Sequence, residues 1–271
     1  MKRVVVRRVR PKRQRVNGGS GQQGISKLLD TETVNKFKPS LLDLGDFKAP
    51  CEEMEAVVAV FDLTGFTKFC NQVDAYLGIP RFLNDFLEWF FRSIREGLTE
   101  EEYGSRCKIW AEFPVLVKFM GDGLMLIWES QKMSEGQICR LAATFYEICY
   151  SYRHDFYPRI SMAVNKPPRV LRCGVARGKV FNIGDGKDYV GHCINNASRL
   201  CHIRPLTFCF PHRGFQVREH MPVEYYRLFV PKYVSVRGVG DNELVWVVKR
   251  EYEMMTEKDR NMFREIESVQ V

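Results

Sequence analysis

The stretch Val57-Val58-Ala59-Val60-Phe61-Asp62-Leu63-Thr64-Gly65-Phe66-Thr67 (VVAVFDLTGFT) decides how the chain is read. Its first residues, apolar and mostly β-branched, read as a buried strand. The strand ends on an acid, and Thr64 and Gly65 open a long helical pattern that runs to Leu98. A carboxylate at a strand end suits a divalent cation. The free N–H groups and the positive dipole end of a helix suit a phosphate. A metal-bound polyphosphate needs both, but a plain helix cap has the same outline. The remaining chain must supply the partners.

Val115–Met120, Gly121-Asp122-Gly123 and Leu124–Trp128 read as two strands joined by a tight turn whose glycines supply positive φ angles. With this hairpin beside the Val57–Phe61 strand, Asp62 and Asp122 meet at one sheet edge. Two carboxylates there can bridge two divalent ions, which steadies both oxygens of an in-line displacement at phosphorus. Taken alone, Asp122 is equally a turn residue. Further on, in Gly191-His192-Cys193-Ile194-Asn195-Asn196-Ala197-Ser198-Arg199, residues Ile194, Ala197 and Cys201 share one helical face. Asn195 and Arg199, four apart, share another. An amide and a guanidinium so placed can contact a ribose and a phosphate together. A solvated polar pair has the same spacing.

Around these stretches the patterning gives an order of elements. The helical pattern Thr64–Leu98 is one helix, or two broken near Gly78-Ile79-Pro80, with an apolar stripe at Phe82, Phe86 and Phe90. Ser134 and Gln137 form a capping-box pair ahead of a core-facing helix through Tyr152. Val170–Ala176 and a strand to Ile183 flank a turn at Arg177-Gly178. Tyr189–Cys201 is helical, and Thr207–Phe210, Lys232–Val236 and Leu244–Lys249 are later strands. The order β-α-ββ-α-ββ-α-β fits an α+β fold with helices on one face of a mostly antiparallel sheet.

Composition bounds the rest. No apolar run approaches a membrane span and no signal-peptide core is present. Nine cysteines without a CxxC pair suggest reduced thiols in a cytoplasmic protein. The formal charge of +8 sits in one place. Met1–Val16 holds eight Lys/Arg and no acid, leaving 41 − 8 = 33 basic against 33 acidic residues elsewhere. The segment 1–24 therefore reads as a basic disordered arm and Gly-rich linker, able to touch nucleic acid or an anionic surface but lacking aromatics for base stacking. Segment 25–50 is a helix and connector, 51–250 the folded domain, and 251–271 a charged tail forming a surface helix. Cys201-His202 with Cys209 and His212 has no common zinc spacing.

Three blocks together resemble a known family. Phe61-Asp62-Leu63-Thr64-Gly65-Phe66-Thr67, Lys118-Phe119-Met120-Gly121-Asp122 and Gly191-x-x-Ile194-Asn195-x-Ala197-Ser198-Arg199 are similar, in order and spacing, to the signature blocks of class III nucleotidyl cyclases. The resemblance spans about Val57 to Val248 and implies a ferredoxin-like βαββαβ core. It implies that Asp62, Asp122 and the Leu63 carbonyl hold two divalent ions, Mn²⁺ or Mg²⁺, and that Phe61–Thr67 cradles the triphosphate. Lys118 and Asp188 fall where the base is read, Asn195 where the ribose is oriented, and Arg199 where the transition state is stabilised. Arg237 stands where many members have a phosphate-binding lysine.

The implied reaction converts a ribonucleoside triphosphate to a 3′,5′-cyclic nucleotide and pyrophosphate. It runs in a homodimer whose sites draw the aspartates and the Asn/Arg set from opposite subunits. The segment between Gly178 and Gly191 is shorter than in the animal enzymes, and no receptor or sensor domain is evident. Both features resemble free-standing bacterial members, including those that make cyclic pyrimidine nucleotides in antiphage defence. Lys118 and Asp188 suit adenine, and cytosine also offers an acceptor beside an amino group. ATP and a pyrimidine triphosphate (UTP or CTP) both remain open; guanine is disfavoured because the corresponding Glu is absent. A catalytically silent, cyclase-like dimer that senses nucleotide is the alternative.

Overall fold

The computed structural model describes residues 30–36, 38, 42–45, 48–184 and 186–265. The basic arm and linker lie outside them, as do the start of the helix expected in segment 25–50 and the last residues of the tail. The chain divides between Asp43 and Leu44. Before the division, α1 (Thr31–Asn35) starts at Asp30, whose Oδ1 accepts the Thr33 N–H at 2.7 Å.

The second unit holds the whole sheet. In chain order it runs β1 (Glu53–Thr64), α2 (Phe66–Cys70), α3 (Ala75–Leu98), β2 (Thr99–Tyr103), β3 (Arg106–Ile109), β4 (Leu116–Phe119), β5 (Gly123–Glu129) and α4 (Glu135–Ser151). A π-helical stretch (Tyr152–Phe156) leads to α5 (Tyr157–Ile160), β6 (Val170–Ile183), β7 (Asp188–Val190), α6 (His192–Cys201) and β8 (Phe208–Pro211). Then come α7 (Val217–His220), α8 (Val223–Tyr226), β9 (Phe229–Val236), β10 (Gly240–Val248), α9 (Lys249–Glu253), α10 (Glu257–Arg260) and β11 (Phe263–Arg264).

Nine strands form one sheet in the order β11-β9-β10-β8-β6-β1-β5-β4, with β7 also on β6. Every pairing is antiparallel except β6 with β8. Strands β6-β1-β5-β4, with α3 after β1 and α4 between β5 and β6, make the expected βαββαβ core.

The apolar run of β1 lacks polar alternation because both of its faces are buried. Val57, Ala59, Phe61 and Leu63 point toward α3 and α4, where Phe82, Phe86 and Phe90 are fully buried and Phe90 meets Phe61 edge-on at 4.9 Å. Each such phenylalanine contributes roughly 1.5–3 kcal/mol by leaving water. Ala56, Val58 and Val60 face the other way, onto Cys193, Ala197 and Cys201 of α6. The helices thus take both faces and not the single face expected, with α3 and α4 on one and α6 on the other. The α6 helix packs against β6 at Gly174, where a Cβ would overlap the Ala197 carbonyl and the Cys201 amide. At the start of α4 both halves of the Ser134–Gln137 capping box are formed.

Several boundaries differ from the sequence reading. The helical pattern after Thr64 breaks at Asn71–Asp74 and not near Gly78-Ile79-Pro80, which lies inside α3. Pro80 withholds one N–H from the Tyr76 carbonyl, on an exposed turn where water can satisfy it. Arg177-Gly178 is not a turn: β6 pairs continuously with β1 from Val170 to Phe181, and Gly178 lies beside Cys193 of α6. Strand β7 occupies the start of the expected Tyr189 helix. The β2–β3 hairpin, TEEEY and RCKI, was not expected, because an exposed, charged hairpin carries no apolar alternation. Beyond Glu251 the described tail is two short helices and a strand instead of one surface helix.

Candidate active site

Strand parity directs Asp62 to the α6 face at the end of β1, opposite Arg172 of β6 and Gly123 of β5. A Cβ on Gly123 would overlap the Phe61 carbonyl, so glycine lets β5 begin tight against β1. That seats the preceding Asp122 beside the strand end, where its backbone carbonyl accepts the Leu63 N–H at 2.8 Å. Burial, and then the Asp122 charge, raise the Asp62 carboxyl above its ordinary range, while His202, Arg172 and Arg204 pull the other way.

A half-buried carboxylate repelled by a second is a place where a cation lowers the energy. Two carboxylates and a backbone carbonyl, completed by substrate phosphates, match how hard divalent ions are held. Asp62, Asp122 and Leu63 therefore fit the expected metals, although no group of three or more His, Cys, Asp or Glu among the described residues forms a complete protein cage.

Two further donors converge on the same strand end. Thr64 Oγ1 and Arg172 Nε are buried and have no hydrogen-bond partner among the described residues. Thr64 lies on the Asp62 side of β1, and Arg172 sits directly across from Asp62. Orphaned buried polar groups cost free energy unless a ligand or water engages them. Arg172 was missing from the sequence reading. Its only signal is the β1–β6 register, which no local motif carries.

Gly65 has φ +87°, and no atom lies within 4 Å of where its Cβ would be, so backbone conformation and not crowding favours glycine there. The helix it opens is the five-residue α2 and not the long one expected, so its dipole is short. Its first-turn amides remain without intrahelical partners. Phe66 packs against Phe69 and Phe82, with ring centroids at 6.0 and 6.3 Å, and Thr67 is exposed.

The other expected residues form two more groups. Lys118, on β4, forms an ion pair with Asp188 of β7. Asp188 is 8% exposed, and its Oδ1 accepts the Tyr189 N–H at 2.9 Å. Asn195 and Arg199 are exposed on α6. The Arg199 guanidinium lies against Gly238 in the β9–β10 turn, so close that a Cβ there would overlap it. The exposed Arg237 adjoins that glycine. No hydrogen bond or ion pair among the described residues joins one group to another. The charges acting most strongly on Asp62 include neither Arg199 nor Arg237. A cleft of about 670 Å³ floored by Tyr233 and Trp246 contains none of these residues.

No protein-family model matches the chain, and no curated protein matches it. Solved structures do. The guanylyl cyclase Cya2 superposes with a TM-score of 0.53 at 17% identity, over 74% of this chain and 94% of that one. The adenylyl cyclase CyaB from P. aeruginosa superposes with a TM-score of 0.53 at 13% identity, over 74% and 96%. The chain has the cyclase fold. In this cyclase fold β1, β5 and β6 are the strands that bear Asp62, Asp122 at the turn before β5, and Arg172. No described helix is long and apolar enough to cross a membrane.

Proposed function

We propose that this protein is a class III nucleotidyl cyclase that converts a ribonucleoside triphosphate to its 3′,5′-cyclic monophosphate and pyrophosphate. The observation that carries the reading is the end of β1. There two neighbouring carboxylates, Asp62 and Asp122, meet two buried donors, Thr64 Oγ1 and Arg172 Nε, that have no partner among the described residues. When bound by Asp62, Asp122 and the Leu63 carbonyl, two Mn²⁺ or Mg²⁺ ions would supply activation of the 3′-hydroxyl and charge neutralisation at the α-phosphate.

The chain's own residues do the rest. Thr64, Arg172 and the first-turn amides of α2 hold the β- and γ-phosphates. Lys118 donates to the base and Asp188 accepts from it. Asn195 orients the ribose. As the 3′-oxygen bonds to the α-phosphorus and the bond to pyrophosphate breaks, Arg199 and Arg237 stabilise the developing charge. No hydrogen bond or ion pair among the described residues links the metal group to the arginine group, and a homodimer with two shared sites would complete them.

The donor–acceptor pair Lys118–Asp188 suits ATP, and it suits CTP as well. A pyrimidine product would place the protein in antiphage signalling. Incubation of the purified protein with each of the four ribonucleoside triphosphates and Mg²⁺ or Mn²⁺, followed by mass spectrometry of products, tests the reading. One cyclic nucleotide is expected to dominate. No cyclic product from any of the four would refute the enzyme.

A further inference from the structure

At the Asp62 end of the sheet, a second cleft of about 700 Å³ is lined by residues of the π-helical stretch, α5, the start of β6 and the region around α9. Arg153, Tyr157, Arg169, Arg172, Thr207 and Glu251 line it. Among the described residues none of the three arginines makes an ion pair, and Arg169 lies over the Tyr157 ring with its guanidinium 5.8 Å from the centroid. Arg172 is shared: it lines the cleft and sits across the ladder from Asp62. Burial and then nearby Arg204 disfavour its charge, while Asp62 and Glu251 favour it.

Glu251 is the one carboxylate among the residues lining the cleft, and Thr207 lines it as well. Glu251 accepts the Thr207 N–H at 2.9 Å, and Thr207 Oγ1 donates to its other oxygen. Glu251 acts through space on Arg153 and Arg172, but with three arginines to one carboxylate the lining keeps a net positive charge. Several guanidinium groups lining one cleft match a compact polyanion, whose adjacent phosphates accept forked hydrogen bonds.

We propose that this cleft is a diphosphate site that receives inorganic pyrophosphate from the neighbouring active site, with Arg153 and Arg169 as its outer ligands. The inference rests on the cyclase reading for the origin of the pyrophosphate, though not for its binding. Arg172 passes the anion from one site to the other, and no covalent step is involved.

Isothermal titration of the full-length chain with sodium pyrophosphate in EDTA tests the cleft without the metal site. Pyrophosphate should bind at least about tenfold more tightly than orthophosphate. The Arg153→Gln/Arg169→Gln variant should weaken pyrophosphate at least about tenfold, the effect expected for losing charged hydrogen bonds. Both side chains are exposed, so thermal melts should match the parent. The single variants, each weaker than the parent, serve if the double variant does not fold. No binding by the parent, equal binding by the variants, or equal affinity for orthophosphate would each overturn the site. Tight pyrophosphate binding with no cyclic product would remove the cyclase reading and leave the cleft standing. Cyclic product with variant-insensitive binding would do the reverse.

Discussion

A methyl group on Gly238 would occupy the space of the Arg199 guanidinium, and the φ of +70° adds strain for any side chain. Gly238→Ala should therefore displace Arg199 and lower kcat toward that of Arg199→Ala, itself expected to fall about 10²–10³-fold as a lost transition-state donor. The cost in stability should be only about 1–2 kcal/mol. Steady-state kinetics beside urea melts separate the two effects; unchanged kcat would mean that Arg199 does not need this turn.

Glu251 offers a different single-residue test. Burial raises its carboxyl above the ordinary range despite the Thr207 hydrogen bonds and the charges of Arg153 and Arg172. A folded-state pKa above the unfolded one gives stability that is complete below the unfolded value and is lost as pH rises through the folded value. Glu251→Gln should thus be more stable than the parent at pH 8, with an advantage that shrinks as pH falls toward about 4. Urea midpoints of both proteins across that range should converge on the acid side, and a gap that widened there would contradict the assignment.

At the scale of elements, α6 depends on β6. The close approach at Gly174 fixes the helix that carries Asn195 and Arg199, so Gly174→Val should push it off the sheet. Overpacking of this kind costs typically about 1–3 kcal/mol, and here the obstacle is backbone. We expect a lower thermal midpoint together with weaker nucleotide binding, measured by differential scanning fluorimetry with and without substrate.

The elements also show what local patterning can report. The stripe at Phe82, Phe86 and Phe90 and the Ser134–Gln137 box were readable because periodicity and capping are local. The break at Asn71–Asp74, the continuity of β6 through Arg177-Gly178 and the exposed β2–β3 hairpin were not. Each depends on a partner strand or on solvent, and a glycine reads as a turn until its neighbour in space is known.

For the whole molecule, the charges acting most strongly on Asp62 include neither Arg199 nor Arg237, which makes dimerisation the decisive question. Asp62→Ala and Arg199→Ala should each be nearly inactive when purified alone. Mixed and allowed to exchange subunits, they should regain part of the parent activity, since a heterodimer holds one intact site. Activity that stays at the level of either variant would argue for sites complete within one chain.

The sequence alone determined the βαββαβ order, the three motif blocks and the position of Asp62 at a strand end, because strand periodicity, capping and signature spacing are properties of neighbouring residues. Only the tertiary structure decided that Arg172 faces Asp62, that Lys118 meets Asp188, and that Gly238 lies against Arg199. It also decided that the helix after Thr64 is short and that arginines line a cleft behind the strand end. Those facts follow from register and packing between segments distant in sequence, and a one-residue shift in register would move each side chain to the opposite face.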